Sequence, residues 1–175
     1  MNMKKVLVVV DMQKDFIDGA LGTKEAVAIV EKAVAEIERF TGKIFVTMDT
    51  HQSNYLETAE GKKLPVPHCI KGTDGWLLNE KIQAALSGKD YRVLEKGTFG
   101  STKLVDEVSK IGYQEELEIE CLGLCTDICV VSNVLLLKAN FPEAKITVRA
   151  DCCAGVTPES HEAALKTMEM CQIEV

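Results

Sequence analysis

The chain has 175 residues, 46% of them hydrophobic and 27% charged, with a formal net charge of −7. This balance suits one soluble globular domain spanning residues 1–175, long enough to bury a substantial core. The acidic charge lacks the basic footprint that nucleic-acid binding needs, and no apolar run reaches membrane-spanning length, so neither nucleic acid nor membrane is an expected partner.

Lys4 to Val10 is a short, largely β-branched run, apolar without a break from Val6, suited to a strand buried on both faces of a parallel sheet. It is too short for a signal peptide and ends at Asp11-Met12-Gln13-Lys14-Asp15-Phe16, which puts Asp11 at the strand's carboxyl end. Thr23 is an N-cap for an amphipathic helix in which Val27, Val30, Val34 and Ile37 share one face, as far as about Phe40. Lys43 to Met48 is a second strand, followed by Asp49-Thr50-His51. Gln52 to Asp74 is a long irregular connection holding Glu57, Glu60 and His68, and such loops in a compact domain are usually functional.

Leu77 to Leu86 is predicted as a short helix. Tyr91 to Leu94 is a third strand leading to Glu95-Lys96-Gly97-Thr98-Phe99, and Leu104 to Ile111 is a helix. Leu117 to Leu122 is a fourth strand that runs into Gly123-Leu124-Cys125-Thr126-Asp127-Ile128-Cys129-Val130 and then into a nearly all-apolar helix ending about Lys138. Lys145 to Ala150 is the fifth strand, Asp151 to Val156 a loop, and Thr157-Pro158-Glu159 a good helix start. Ile173 to Val175 reads as a last short strand.

Strands alternating with helices predict an α/β fold, an open, mostly parallel, doubly wound sheet in three α/β/α layers. Ligands in such sheets bind beyond the carboxyl ends of the strands, where the strand order reverses. Asp11, Asp49, His51, Lys96 and Cys129 all follow strand ends and so fall at one edge. Taken alone, Cys125 and Cys129 are most simply small core residues. The convergence of reactive side chains at one edge favours a nucleophile at the helix N-terminus instead, where unpaired N–H groups favour a thiolate.

The seven cysteines, an odd number in apolar segments, read as reduced thiols of a cytoplasmic protein. Cys121, Cys125 and Cys129 do not share one helical face and match no common iron–sulfur spacing. An Asp, a Lys and a Cys can form a nucleophilic unit, the carboxylate taking the thiol proton and the ammonium stabilising both anions. Asp49, His51 and His68 with a loop glutamate make a mixed O/N donor set suited to a divalent ion such as zinc, manganese or iron. His161, on the last helix, reads as a surface or packing residue.

Together, and in this order, the motifs Asp11–Phe16, Asp49-Thr50-His51, His68-Cys69-Ile70-Lys71-Gly72-Thr73, Lys96-Gly97-Thr98-Phe99 and Gly123–Val130 resemble the isochorismatase-like cysteine hydrolases, most nearly the metal-binding nicotinamidase/pyrazinamidase branch. The resemblance implies Asp11 as general base and acid, Lys96 as its charge partner and Cys129 as nucleophile. It implies a cis peptide between Leu124 and Cys125, and an oxyanion hole from the backbone N–H groups of Cys125 and Cys129. It implies a divalent metal on Asp49, His51, Glu57 and His68, with Glu57 preferred to Glu60 by its distance from His51.

Phe16 and Leu124 are the implied substrate walls, with Tyr55, Trp76 and Phe99 as further candidates. The branch often carries a Trp just before the last metal histidine, and here Leu64-Pro65-Val66-Pro67 stands there instead. The implied activity is hydrolysis of nicotinamide through a cysteine thioester, in NAD salvage, by a homo-oligomer. The alternatives are hydrolysis of another small amide or ureido compound, or a catalytically silent binding domain.

Overall fold

The structure, a computed structural model, describes residues 3–175. Five strands, β1 Lys4–Val10, β2 Lys43–Asp49, β3 Tyr91–Lys96, β4 Leu117–Leu124 and β5 Lys145–Ala154, form one sheet in the order β3-β2-β1-β4-β5. Every neighbouring pair is parallel, so the sheet expected to be mostly parallel is wholly so. The helices are α1 Lys14–Ile17, α2 Lys24–Ala28, α3 Val30–Arg39, α4 Ala59–Lys63, α5 Glu80–Ala85, α6 Thr102–Ser109, α7 Val131–Asn140 and α8 Pro158–Met170.

Residues in β1 alternate between two cores because successive side chains of a strand point to opposite faces. Val6, Val8 and Val10 pack with Leu104, Val134, Leu137 and Met168 of α6, α7 and α8. Leu7 and Val9 pack with Phe16, Ala26, Ala33, Ile37 and Ile82 of α1, α2, α3 and α5. Both faces of the central strand are therefore covered, and each such side chain contributes about 1.5–3 kcal/mol on burial. Among the described residues no helix is long and apolar enough to cross a membrane.

The chain winds outward from β1 through β2 to β3, then returns to β4 on the other side of β1 and continues to β5. The carboxyl ends of β1 and β4 thus flank the switch point, where a crevice is expected. Gly123 makes their close approach there possible. It has φ 127° and pairs with Val10, and a Cβ on it would lie 2.1 Å from the Val10 carbonyl oxygen. A side chain at that position meets both a conformational and a steric barrier.

Several boundaries differ from those expected. The helix over 23–40 is two helices interrupted at Ile29, although Thr23 caps as predicted, its Oγ1 accepting the Ala26 N–H at 3.0 Å. The helix expected over 77–86 is confined to α5 because Asn79 caps it, accepting from the N–H groups of Lys81 and Ile82. β4 runs on through Leu124, and β5 runs on to Ala154 through residues expected as loop, Cys152 to Ala154 being buried there. The C-terminal segment contributes a single parallel bridge, Glu174 to Thr147. The long connection after β2 folds into a short turn of helix at Tyr55–Glu57 followed by α4.

Candidate active site

Three reactive side chains meet at the switch point. Asp11, immediately after β1, is fully buried with φ 48°, a left-handed conformation uncommon outside glycine. It is held by two bonds to β2: its N–H donates to the Thr47 carbonyl at 3.1 Å, and the Thr47 hydroxyl donates to Oδ1 at 2.7 Å. Lys96 closes β3 at 5% exposure, and Cys129 is 4% exposed. Lys96 Nζ lies 2.6 Å from Asp11 Oδ2 and 3.6 Å from Asp49 Oδ1. It also donates to the Thr98 carbonyl at 3.1 Å and reaches Cys129 Sγ at 3.4 Å. Asp11 Oδ2 is paired with the Lys96 ammonium and has no other partner. That oxygen is open to a proton from elsewhere.

Cys129 sits in a π-helical turn, Thr126–Val130, which leads into α7. The peptide between Leu124 and Cys125 is cis, at the position the resemblance implied. The Cys125 carbonyl accepts from both Ile128 and Val130, which winds the turn tightly around the nucleophile position. Asn133, buried in the first turns of α7, donates to the carbonyls of Cys129 and Phe99 and accepts the Ser101 N–H. It ties the helix bearing Cys129 to the segment following Lys96. His161 is a packing residue of this turn: its Nδ1 is 2.7 Å from the hydroxyl of buried Thr126.

Burial pushes the Asp11 carboxyl up and Asp49 adds to this, while Lys96 and Thr47 oppose it. Burial likewise raises the Cys129 thiol well above its ordinary value, with Asp11 reinforcing and Lys96 opposing. Burial would lower Lys96, but Asp11, Cys129 and Asp49 outweigh it and hold the ammonium protonated. The cluster therefore holds a protonated Lys96 ammonium against Asp11 and Asp49, beside a thiol that burial disfavours as thiolate. Burial pushes the Cys125 thiol up to about 12, with the acids Asp127 and Asp11 as further causes and no cation beside it. Of the two cysteines in the turn, only Cys129 has Lys96 within reach.

A second polar group shares Asp49 with the first. Asp49 Oδ2 is 2.9 Å from His51 Nε2 and 3.4 Å from His68 Nε2, and Glu60 Oε1 is 3.6 and 3.7 Å from the same two nitrogens. One donor atom from each of Asp49, His51, Glu60 and His68 lies within 4.8 Å of the others. The expectation of Glu57 is corrected here. Glu57 lies exposed in the turn before α4, whereas Glu60 points inward from α4. Thr58 caps α4 by accepting the Gly61 N–H, and a Cβ on Gly61 would lie 2.0 Å from the Tyr55 carbonyl oxygen. Only a glycine lets α4 seat against that turn and bring Glu60 in.

The donor set suits a divalent ion: two carboxylates, two imidazoles, and a net charge that a dication offsets. His68 Nδ1–H donates to the Val66 carbonyl at 2.8 Å, which turns Nε2 toward the group, where it bonds Asp49 and could ligate an ion once deprotonated. Tyr55 packs edge-on against both imidazoles at 4.8 and 5.0 Å and donates its hydroxyl to the Leu64 carbonyl. Burial alone would raise Asp49, but hydrogen bonds from His51 and His68 and the charge of Lys96 outweigh it and hold the carboxyl well below its usual range. Burial would lower His68, but Asp49 and the Val66 carbonyl outweigh it and raise the imidazole.

Gln13, Thr47 and Asn133 escaped the sequence reading. Gln13 clamps Asp49, donating to its carbonyl and accepting its N–H, both at 2.8 Å, and also donates to the Trp76 carbonyl. The signal available was a polar residue within a largely apolar run, Thr47 in β2 and Asn133 in the first turn of α7.

Cys129 opens on a cavity of about 50 Å³ walled by Phe16, Leu64, Phe99 and Ile128, with His68, Asp49 and Glu60 across from it. Beyond Phe99 and Glu60 lies a wider mouth of about 560 Å³. Phe16 and Phe99 both line this cavity. Leu124 is fully buried and lines a neighbouring space, not the cavity at Cys129. Trp76 donates its indole N–H to Thr50 Oγ1 and packs below the loop.

An open parallel sheet with a carboxylate, an ammonium and a thiol gathered at its switch point is the arrangement of a doubly wound α/β enzyme with a nucleophilic cysteine. The chain belongs to the isochorismatase family: the model of the Isochorismatase domain matches residues 5–175. It is 28% identical over 173 residues to the isochorismatase family protein PncA of Bacillus subtilis, covering 93% of each chain. The crystal structure of nicotinamidase/pyrazinamidase PncA from Bacillus subtilis superposes with a TM-score of 0.83 at 25% identity over 99% of each chain. That of the pyrazinamidase of Pyrococcus horikoshii in complex with zinc superposes with a TM-score of 0.80 at 23% identity, over 98% of this chain and 97% of that one.

Proposed function

We propose that this protein is a metal-containing cysteine amidohydrolase that converts nicotinamide and water to nicotinate and ammonia. The observation that carries the reading is the sealed cluster in which one ammonium, Lys96 Nζ, is 2.6 Å from Asp11 Oδ2 and 3.4 Å from Cys129 Sγ. The nicotinamidase/pyrazinamidase structure from Bacillus subtilis supports the substrate class.

In this reading Asp11 is the general base and acid, Lys96 the charge partner and Cys129 the nucleophile. Asp11 Oδ2 takes the proton of Cys129 Sγ as the sulfur attacks the amide carbon. The carbonyl oxygen becomes an oxyanion held by the backbone N–H groups of Cys125 and Cys129, each such donor contributing about 3–4 kcal/mol to the barrier reduction. Asp11 returns its proton to the amide nitrogen, the C–N bond breaks, and ammonia leaves a thioester. Asp11 then accepts a proton from water as its oxygen adds to the thioester carbon. The C–S bond breaks, the thiolate is reprotonated, and the acid departs. Lys96 remains protonated throughout and stabilises whichever neighbour is anionic.

Asp49, His51, Glu60 and His68 are the residues that would hold a divalent metal, and the zinc-complexed Pyrococcus horikoshii pyrazinamidase supports that assignment. The ion would supply a Lewis-acidic anchor for the ring nitrogen, orienting the amide toward Cys129. Phe16 and Phe99 flank the ring. A single isochorismatase-like domain across 1–175, a cytoplasmic homo-oligomer and a role in NAD salvage complete the reading. Seven free thiols support the compartment, and exposed Val27 and Leu56 leave apolar surface for a second copy.

The test is ammonia release from nicotinamide by the wild type and by Cys129→Ala, with metal analysis of wild type, His51→Ala and His68→Ala. Turnover by the wild type alone, with metal lost from both histidine variants, is the expected result. Turnover by Cys129→Ala would sink the nucleophile assignment, and unchanged metal content in both histidine variants would sink the metal centre.

A further inference from the structure

The cavity at Cys129, about 50 Å³, does not end the apolar space around the site. A second chamber of about 240 Å³ lies beside it, and the two share Phe16, Leu21, Leu64, Cys125 and Ile128 as walls. The far side of the second chamber is lined by Thr23, Ala26, Leu124, Gly155 and Val156, the last of them half-exposed. None of its walls carries a charge. The one hydroxyl, that of Thr23, is already occupied in capping α2. Apolar walls of this kind give ordered water few partners, and an apolar cavity of about 150 Å³ is enough for a benzene ring. The chamber belongs to neither the proton-transfer cluster nor the donor group on Asp49, and nicotinamide hydrolysis gives it no task.

We propose that this chamber is a specificity subsite, taking an apolar branch of up to about phenyl size on the substrate, so that the enzyme's substrates include aromatic carboxamides bearing an alkyl or aryl group. The proposal rests on the amidohydrolase reading above and names a substrate class within it. Two observations carry it. The two chambers share five lining residues, and three of them, Phe16, Leu64 and Ile128, carry side chains with more than one rotamer, so rotamer changes there would join the two spaces. The chamber also adjoins Cys125 of the nucleophile turn, so a branch lying in it starts next to the reacting carbonyl. A hydrophobic subsite of this kind discriminates by roughly 10-fold or more per buried methylene.

The experiment compares ammonia release from nicotinamide with release from nicotinamides carrying an isobutyl or phenyl group at each free ring carbon in turn. It uses the metal-loaded wild type and Val156→Phe, which fills the chamber from a half-exposed position and so spares the core. Binding of the same amides to Cys129→Ala, with and without Val156→Phe, gives a readout independent of turnover. At least one branched amide is expected to match or exceed nicotinamide in kcat/KM. Val156→Phe is expected to lower the ratio of branched to unbranched kcat/KM at least 10-fold, with the same selective loss in binding.

Turnover of nicotinamide with rejection of every branched amide overturns the subsite and leaves the amidohydrolase reading standing. An unchanged ratio in a folded Val156→Phe also overturns the subsite. Turnover of a branched amide without turnover of nicotinamide supports the subsite and overturns nicotinamide as the substrate. Absence of ammonia from every amide overturns both.

Discussion

The two polar groups at the carboxyl edge share Asp49 but are held in different ways. Asp11 and Lys96 sit at strand ends, and Cys129 sits in the turn that follows β4, all nearly sealed from solvent. In the donor group only Asp49 belongs to a strand. His51, Glu60 and His68 come from the connection between β2 and α5, and Glu60 rides on the five-residue α4 with its side chain 22% exposed. Proton transfer within the first group needs fixed geometry, and strands held on both faces by packed core supply it. The second group depends on loop structure, where residues change more freely and where substrate and metal preference are set.

The sharpest break between the groups comes from removing one member of the first. Cys129→Ala should cut kcat by about 10⁴-fold or more, as loss of a nucleophile does in other acyl-transfer enzymes, while the fold and metal content stay intact. Lys96→Met should be costly in two ways. It leaves Asp11 and Asp49 as buried carboxylates without their shared cation, which should destabilise the fold by about 3–5 kcal/mol in a urea titration. Activity should fall with it. A Lys96→Met protein as stable as wild type would mean that the ammonium is not the hub of the cluster.

The donor group should respond more mildly and more locally. Glu60→Gln should weaken metal binding about 10–100-fold by equilibrium dialysis, with little change in the urea midpoint, because its carboxylate is partly solvated and lies outside the core. Glu57→Gln should leave metal affinity unchanged, since that side chain points to solvent from the preceding turn. Equal losses in the two variants would contradict the geometry of α4.

That pair of variants also marks where the sequence stopped being legible. The strands, their parallel arrangement and the residues at their ends could be read because apolar runs of β-branched residues have few alternatives, and each run stops at a polar cluster. Asp11, Asp49, Lys96 and Cys129 were placed at one edge on that basis. The choice between Glu57 and Glu60 could not be read, because it turns on whether Thr58 caps a helix and on Gly61 nesting against the Tyr55 carbonyl. Both are tertiary facts about a loop without periodicity. The resemblance implied Leu124 as a substrate wall, but in a strand adjacent residues face opposite sides, and Leu124 lines the neighbouring chamber. His161 likewise gave no sequence signal for its bond to Thr126, which depends on how α8 crosses the nucleophile turn.

The smallest predicted effect probes the rigid group through pH. Asp11 must be ionised to take the Cys129 proton, so kcat/KM is full above the Asp11 pKa and falls as pH drops through it. Burial raises that pKa, so the acid limb should lie above the ordinary carboxylate value of about 4. The Thr47 hydroxyl bonds the ionised form at 2.7 Å and so holds the pKa down. Thr47→Val keeps the shape but removes the donor, so the acid limb should move to higher pH. The rate well above that limb should change little, because Asp11 still has Lys96 and its backbone bond to Thr47. Stability should fall by about 1.5–3 kcal/mol, the range for a hydrogen bond to a charged group. Glu60→Gln, by contrast, should move the acid limb less, since the largest influences on Asp11 are burial, Lys96, Asp49 and Thr47. A pH profile displaced equally by both variants would show that the two groups titrate as one, and the separation between a rigid proton-transfer cluster and a loop-borne donor group would not hold.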